Sequence, residues 1–240
     1  MKSNFVYLAS QSPRRQQLLT QMGIEYRLLL PLSSEDPEAW ECVLPRESPT
    51  AYVMRVTALK LNAAMSRLRQ LNWPSAPILC ADTTVALGRT ILGKPADPEE
   101  ARYMLTQLSG HEHRVLTSVA VARGKVVRQA LCVSRVRFGH LSPTWIKAYV
   151  ASGESMGKAG GYAIQGAGGA FVQTVRGSVS SIVGLPLHTV VRLAADLGFV
   201  RQAESTTSVA RPTRRVRWNV LRVVPTPRHS PTRPSPLGVH

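Results

Sequence analysis

The strongest constraint on the fold is an alternation of strand and helix signals along residues 1–200. Residues 5–9 form a continuous apolar run of strand length. Ser12 follows as the N-cap of a helix, with Pro13 as its first residue and Gly23 at its end. Because strand and helix signals stay mixed along the chain, the sequence predicts an α/β fold.

The clearest single element is a helix at 98–108. Asp97 is its N-cap, Glu100 completes a capping box, and apolar residues recur at helical spacing until Gly110. The remaining predicted elements are strands at 25–31, 77–87, 114–122, 125–138, 170–175 and 179–183, and helices at 49–71, at 143–152 and from Pro186 to Gly198.

The charge divides the chain into two parts. The 240 residues carry a formal net charge of +16. Residues 201–240 hold eight arginines against one acid, Glu204, and six of the 17 prolines. We therefore expect a functional domain at 1–200, with a net charge of +9, and a disordered basic tail at 201–240. A basic body indicates an anionic partner, either nucleic acid or a phosphorylated small molecule.

Cysteine usage and hydropathy exclude several classes of protein. The three cysteines, at 42, 80 and 132, have neither CxxC spacing nor an even count, so no disulfide framework or zinc site is predicted. The N-terminal apolar run is too short for a secretory signal, and no stretch approaches the roughly 20 apolar residues that span a bilayer. We expect a cytoplasmic protein.

Two familiar motifs fail on their context. Residues 88–94 match the first seven positions of a P-loop, but Pro95 replaces the Ser or Thr that holds the metal, and no helix follows. Residues 153–157 match G-x-S-x-G, yet they follow a helix instead of a strand. We interpret both matches as coincidences, and we expect His113 to be structural.

The arginine pair at the first predicted helix indicates an anion site. Arg14 and Arg15 lie in the first turn, where the helix dipole disfavours cations by up to about 1 kcal/mol each. Solvent screening explains their presence if they have no function. The alternative is that Ser10, Ser12 and both arginines bind a phosphate together with the helix N–H groups.

An acidic residue interrupts the apolar run at 77–87. Asp82 is either a turn-capping residue or a carboxylate at a strand end that faces a site. Lys94 follows the next turn and is placed to face the same cleft. Aspartate supplies metal ligation or base chemistry, and lysine neutralises phosphate charge.

Together these segments resemble the Maf family of nucleoside triphosphate pyrophosphatases. The resemblance spans about 180 residues and does not reach the tail. The blocks that carry it are LASQSPRRQQLL at 8–19, ADTTVALGRTILGKP at 81–95, MLTQLSGHEHRVLTSVAV at 104–121, GKAGGYAIQGAGGAFV at 157–172 and GSVSSIVGLPL at 177–187.

This resemblance implies a fold and a reaction. The implied fold has a mixed central sheet flanked by helices, with two lobes and a cleft, related to the inosine triphosphatase architecture. The implied reaction is hydrolysis between the α- and β-phosphates of a nucleotide with Mg²⁺ or Mn²⁺, by a protein that is commonly a homodimer.

The resemblance also implies roles for individual residues. Asp82 matches the family's candidate base, and Glu35 falls near an acidic residue after the second strand, although Asp36 or Glu38 can take that place. Asp82 and Glu35 are the expected catalytic and metal-binding residues. The expected substrate-binding residues are Ser10, Arg14, Arg15, Lys60, Lys94 and Gln165.

The block K-A-G-x-Y-x-I-Q-G resembles the branch that acts on dTTP and UTP. In the branch that acts on 7-methyl-GTP, Cys-Ala-Gly-Ser-Phe stands in its place. Two alternatives stay open: a regulator that binds nucleic acid or a protein partner through its basic tail, and a pyrophosphatase of inosine-triphosphatase-like purine preference. Nucleic acid is not the expected partner of the domain itself.

Overall fold

The computed structural model describes residues 5–37 and 39–197. Within these residues, seven strands form one sheet: β1 Val6–Leu8, β2 Tyr26–Leu28, β3 Ile78–Leu87, β4 Thr90–Leu92, β5 Glu112–Arg123, β6 Val126–Phe138 and β7 Val172–Arg176. The α-helices in the same ranges are α1 Pro13–Gln21, α2 Pro49–Gln70, α3 Pro98–Leu108, α4 Pro143–Ala151, α5 Val179–Val183 and α6 Leu187–Asp196. Short 3₁₀ turns lie at Ala39–Glu41, Ala159–Gly161 and Ala167–Phe171.

The sheet is mixed, as expected. Its strand order is β2-β1-β3-β5-β6-β7, and β4 pairs with β3. The β1 strand is parallel to both of its neighbours, β2 and β3. The pairs β3–β5, β5–β6 and β6–β7 are antiparallel. The predicted α/β class is confirmed.

A gap along one edge of β3 creates the opening for a site. On one side, β5 pairs with nearly the whole strand. On the other side, β1 pairs with Ile78 and Leu79, and β4 pairs with Val85–Leu87. No described strand pairs with residues 80–84 on that side. The sheet edge therefore divides there, with separate core clusters beside β1 and beside β4.

The α3 helix forms where its local sequence predicts it. The Asp97 carboxylate accepts a hydrogen bond from the Glu100 N–H at 2.8 Å, and the Glu100 carboxylate accepts one from the Ala96 N–H at 2.7 Å. This capping arrangement satisfies N–H groups that the first turn leaves unpaired. The apolar face of the helix is buried in the core beside β4.

One predicted strand is wrong. Residues 179–183 form α5, because the Ser178 hydroxyl accepts a hydrogen bond from the Ser181 N–H at 3.2 Å and so caps a helix. Gly184, at φ 126°, ends it in a conformation that favours glycine. The predicted end of the last helix, Gly198, and the predicted tail at 201–240 lie outside the described residues. Among the helices of the described residues, none has both the length and the apolar character that crossing a membrane requires.

Candidate active site

A cleft of about 580 Å³ opens at the gap in β3. Its walls come from the loop after β1, the start of α1, the turn Ala39–Glu41, α2, the middle of β3 and the segment 157–165. Successive side chains of a strand point to opposite faces. Asp82 therefore faces α2, and Thr83 faces α1 and α5, so the cleft is lined from both faces of the sheet.

On the α2 face, two carboxylates and two ammonium groups alternate. The Lys60 Nζ donates to Asp82 Oδ1 at 2.6 Å and to Glu41 Oε1 at 2.6 Å. The Lys94 Nζ donates to Glu41 Oε2 at 2.8 Å. Only 10% of the Asp82 side chain and 17% of the Lys60 side chain are exposed. Such short, partly buried pairs fix both carboxylates in place.

The neighbouring charges shift the pKa values of Glu41 and Lys60 in the direction that favours their charged forms. Burial alone raises the pKa of Glu41, but the charges of Lys60 and Lys94 outweigh it and hold that pKa below its usual value. Burial lowers the pKa of Lys60, but Asp82 and Glu41 outweigh it and raise the pKa. The Tyr52 hydroxyl donates to the Glu41 carbonyl oxygen at 2.9 Å and so positions the backbone beside the carboxylate.

On the opposite face, the Arg15 guanidinium is held by three groups. Its Nε donates to the Gly184 carbonyl oxygen at 2.8 Å, and its Nη1 donates to Ser10 Oγ at 2.9 Å. Its Nη2 lies 3.4 Å from Thr83 Oγ1, which is itself 3.0 Å from Thr117 Oγ1. The planar group is thereby oriented, and its remaining N–H groups are available to a ligand.

Two further cations line the cleft without a carboxylate partner among the described residues, Arg14 and Lys158. Burial and then the charge of Arg15 lower the pKa of Arg14. Burial and then the charge of Arg14 lower the pKa of Lys158, with Glu154 acting in the opposite direction. Both groups thus bear the cost of burial and of like-charge repulsion. An anionic ligand in the cleft would relieve that cost.

Comparison with known proteins identifies a family for this chain. The family described as Maf-like protein matches residues 5–197, which is most of the chain.

The chain belongs to the Maf family. A dTTP/UTP pyrophosphatase of Albidiferax ferrireducens is 54% identical over 197 residues, which cover 82% of this chain and 98% of that protein. A dTTP/UTP pyrophosphatase of a Polaromonas species is 58% identical over 186 residues, which cover 78% of this chain and 92% of that protein. A solved structure of a nucleoside-triphosphatase / dITP/XTP pyrophosphatase from Mycobacterium abscessus is only weakly similar. Its TM-score is 0.33 at 16% identity, over 57% of this chain and 74% of that one.

The Maf cleft brings together nearly all of the residues expected from the sequence. Those that line it are Ser10, Arg14, Arg15, Lys60, Asp82, Lys94 and Gln165. Their individual roles in binding and catalysis stay predictions.

Glu35 is not brought into this group and does not line the cleft. Its carboxylate forms an ion pair with the buried Arg67 and accepts a hydrogen bond from the Leu32 N–H at 2.9 Å. Arg67 also donates to the Leu29 carbonyl oxygen at 2.8 Å, so this pair fastens the segment after β2 to α2. Of the alternatives, Asp36 lines the cleft, whereas Glu38 lies outside the described residues. Glu41 is the carboxylate that shares Lys60 with Asp82.

Sequence reasoning missed three residues of the Maf cleft. Glu41 carries no local signal, because its partners are distant in sequence. Lys158 and Thr83 both lie inside recognised blocks, GKAGGY and ADTT, but the blocks alone assign them no contact. A cation in a glycine-rich segment is the signal that could have identified Lys158.

Neither coincidental motif has the structural context that its chemistry requires, and His113 is buried. The P-loop-like segment forms the turn after β3, then β4 and the two residues that follow it, with no helix. Ser155 is fully buried after α4 and follows no strand. His113 is buried, its Nε2 lies 2.8 Å from the Tyr162 hydroxyl, and burial lowers its pKa to about 4.

The donor set of the cleft fits a divalent cation that binds together with phosphates. Among the described residues, no group of three or more His, Cys, Asp or Glu side chains forms a ready-made metal cage. Mg²⁺ is typically held by one or two carboxylates plus substrate phosphates and water. Asp82 and Glu41 supply two such carboxylates, and Asp36 lies in the same cleft wall.

Proposed function

We propose that this Maf protein hydrolyses dTTP and UTP to the monophosphate and pyrophosphate. The observation that carries the proposal is that one cleft holds two cations without a carboxylate partner among the described residues and a pair of carboxylates joined by Lys60. The cations can bind the negatively charged triphosphate, and the carboxylates can activate a water molecule. The relatives named dTTP/UTP pyrophosphatase, which this chain matches over nearly their whole length, support the choice of substrate.

The cations bind the phosphate chain. A nucleoside triphosphate brings about four negative charges, and catalysis of phosphoryl transfer rests largely on positioning and charge stabilisation. Arg14 and Arg15 approach from the α1 side and Lys158 from the segment at 157–165. Lys94, whose side chain is 51% exposed, exchanges Glu41 for a phosphate oxygen when the substrate enters.

The carboxylates act on the attacking water. Asp82, with Glu41, orients a water molecule toward the α-phosphorus and accepts its proton. A bond forms between the water oxygen and the α-phosphorus. The bond from the α-phosphorus to the bridging oxygen breaks, and pyrophosphate leaves with that electron pair. Lys60 holds the two carboxylates in place before the reaction.

Mg²⁺ or Mn²⁺ is the proposed cofactor, and Asp82 and Glu41 are the residues that would hold it with the substrate phosphates. When bound, the cation neutralises negative charge on the phosphates. We also propose a homodimer and a cytoplasmic location, which sedimentation of the purified chain and fractionation of cells would test.

A panel of triphosphates tests the proposal. The full chain is incubated with dTTP, UTP, CTP, ATP, GTP or ITP and with Mg²⁺ or Mn²⁺, and pyrophosphate and orthophosphate are measured separately. We expect pyrophosphate and monophosphate, with kcat/KM for dTTP and UTP at least about tenfold above the other substrates, equivalent to about 1.4 kcal/mol. A preference for ITP would favour the purine alternative. DNA binding without pyrophosphate release would favour the regulator.

A further inference from the structure

The end of α4 is tied to the glycine-rich segment that forms one wall of the cleft. The Tyr149 hydroxyl donates to Glu154 Oε1 at 2.9 Å and accepts a hydrogen bond from the Ala163 N–H at 3.2 Å. Glu154 Oε1 also accepts from the Gly168 N–H at 3.1 Å, and Glu154 Oε2 accepts from the Ala167 N–H at 3.0 Å. Two side chains thus hold three backbone N–H groups of one short segment.

These hydrogen bonds lie on both sides of Gln165. The bond to Ala163 precedes it by two residues, and the bonds to Ala167 and Gly168 follow it. Gln165 is exposed on the cleft wall, and no hydrogen bond of its own side chain to another described residue is observed. Its position therefore depends on the backbone that carries it.

The Glu154 carboxylate is ionised where it makes these bonds. Burial alone raises its pKa, but the N–H groups of Gly168 and Ala167 and the Tyr149 hydroxyl lower the pKa below its usual value. Burial, in turn, raises the pKa of Tyr149, which remains a protonated donor. Hydrogen bonds to an ionised acceptor are roughly twice as strong as neutral ones.

The glycines of the segment are the residues that this arrangement requires. A Cβ at Gly166 would overlap the Glu154 carboxylate, and a Cβ at Gly168 would lie 2.8 Å from the Tyr149 hydroxyl oxygen. Gly166 and Gly168 thus allow the close approach of the backbone to Glu154 and Tyr149.

We propose that Tyr149 and Glu154 form a clamp that positions Gln165 and thereby sets the enzyme's choice of base. The inference rests on the proposed function, since it concerns how that same cleft selects pyrimidine substrates. Tyr149 and Glu154 are positioning residues, because their contacts are with the backbone of the cleft wall. A clamped wall gives the cleft a fixed width and places the Gln165 carboxamide, which both donates and accepts, at one edge of the base.

Kinetics of Glu154→Gln test the clamp. The amide keeps the size of the carboxylate but loses its charge and one of its two acceptor atoms. We expect KM for dTTP to rise about tenfold with kcat within about twofold, as for the loss of one charge-assisted hydrogen bond. The ratio of kcat/KM for dTTP over CTP should fall about tenfold. Tyr149→Phe should change both quantities in the same direction.

The control is Glu99→Gln, which removes an exposed carboxylate from α3. A merely structural loss would lower the fraction of active enzyme, and hence kcat for every substrate, without changing KM or the ratio. In the double variant Glu154→Gln/Gln165→Ala, the ratio of kcat/KM for dTTP over CTP should lie within about twofold of the ratio in Gln165→Ala alone. The reason is that effects of residues that act through one another are not additive. Unchanged KM and ratio, or fully additive effects, would overturn the clamp.

Hydrogen exchange separates failure of the clamp from failure of the proposed function. The amides of Ala163, Ala167 and Gly168 should exchange at least about tenfold faster in Glu154→Gln than in Glu99→Gln. If the wild-type chain released no pyrophosphate from dTTP or UTP, the proposed function would fail, and faster exchange would still support the clamp. Unchanged exchange would overturn the clamp whatever the substrate.

Discussion

Lys60 joins the two carboxylates of the cleft, and Lys60→Met removes its charge while keeping a side chain of similar length. The variant leaves Asp82 and Glu41 close together, with only Lys94 to compensate them. Breaking a buried ion pair from one side typically costs about 3–5 kcal/mol. The lower end applies here, because 23% of the Glu41 side chain remains in contact with solvent. At about 2–4 °C per kcal/mol for a domain of this size, a loss of about 3 kcal/mol lowers Tm by about 6–12 °C.

The sign of the pH dependence follows from the same charges. In the wild type, the lowered pKa of Glu41 contributes stability at neutral pH that is lost as the pH falls. In the variant, protonation of one carboxyl relieves the repulsion between the two. The first effect acts only below the ordinary pKa of glutamate, so between pH 8 and pH 5 the second effect alone makes the Tm difference between the proteins smaller at pH 5 than at pH 8.

Thermal unfolding followed by circular dichroism at both pH values measures this difference. Lys125→Met is the matched control, since Lys125 is exposed in the turn between β5 and β6. A Tm change below about 2 °C at pH 8, or one that grows toward pH 5, would refute the reasoning.

Three further predictions concern single residues. Arg15→Ala should lower kcat/KM for dTTP by about 100-fold, mainly through KM, because two or more charge-assisted bonds to phosphate are lost; unchanged kinetics would reject the phosphate site. Burial raises the pKa of the Cys80 thiol to about 11. A thiol reagent at pH 8 should therefore label exposed Cys42 and leave Cys80 unlabelled until the protein unfolds, and peptide mapping distinguishes the two cysteines. Burial lowers the pKa of His113 to about 4, so urea unfolding should show up to about 3 kcal/mol of stability lost as the pH falls from about 6.5 to 4. A variant His113→Asn that kept the full loss would contradict this assignment.

Local patterns predicted the elements that depend on local chemistry. The α3 helix begins and ends as its capping residues indicate, because the Asp97 and Glu100 side chains satisfy neighbouring N–H groups. The strand predicted at 179–183 failed for the same kind of reason. Its β-branched residues favour a strand, but the Ser178 hydroxyl caps a helical turn, and this cap outweighs the strand preference.

The site was only partly predictable, since its key pairings are distant in sequence. Asp82 was recognisable because a carboxylate within an apolar run needs a partner or a function. Glu41 was not, because it meets Lys60 and Lys94 at separations of 19 and 53 residues, and only the folded chain brings these together. Glu35 carries the same carboxylate group, but the buried Arg67 binds it elsewhere.

The most direct test of the central claim is the rate of pyrophosphate release from dTTP by the full chain and by Asp82→Asn. Both proteins are measured at pH 8 with Mg²⁺, at saturating substrate, after circular dichroism has shown that the variant is folded. We predict that the wild type releases one pyrophosphate for each monophosphate and that Asp82→Asn lowers kcat by about 100-fold or more, in the range that a general base contributes. A loss of less than about tenfold would contradict the role of Asp82 as the base.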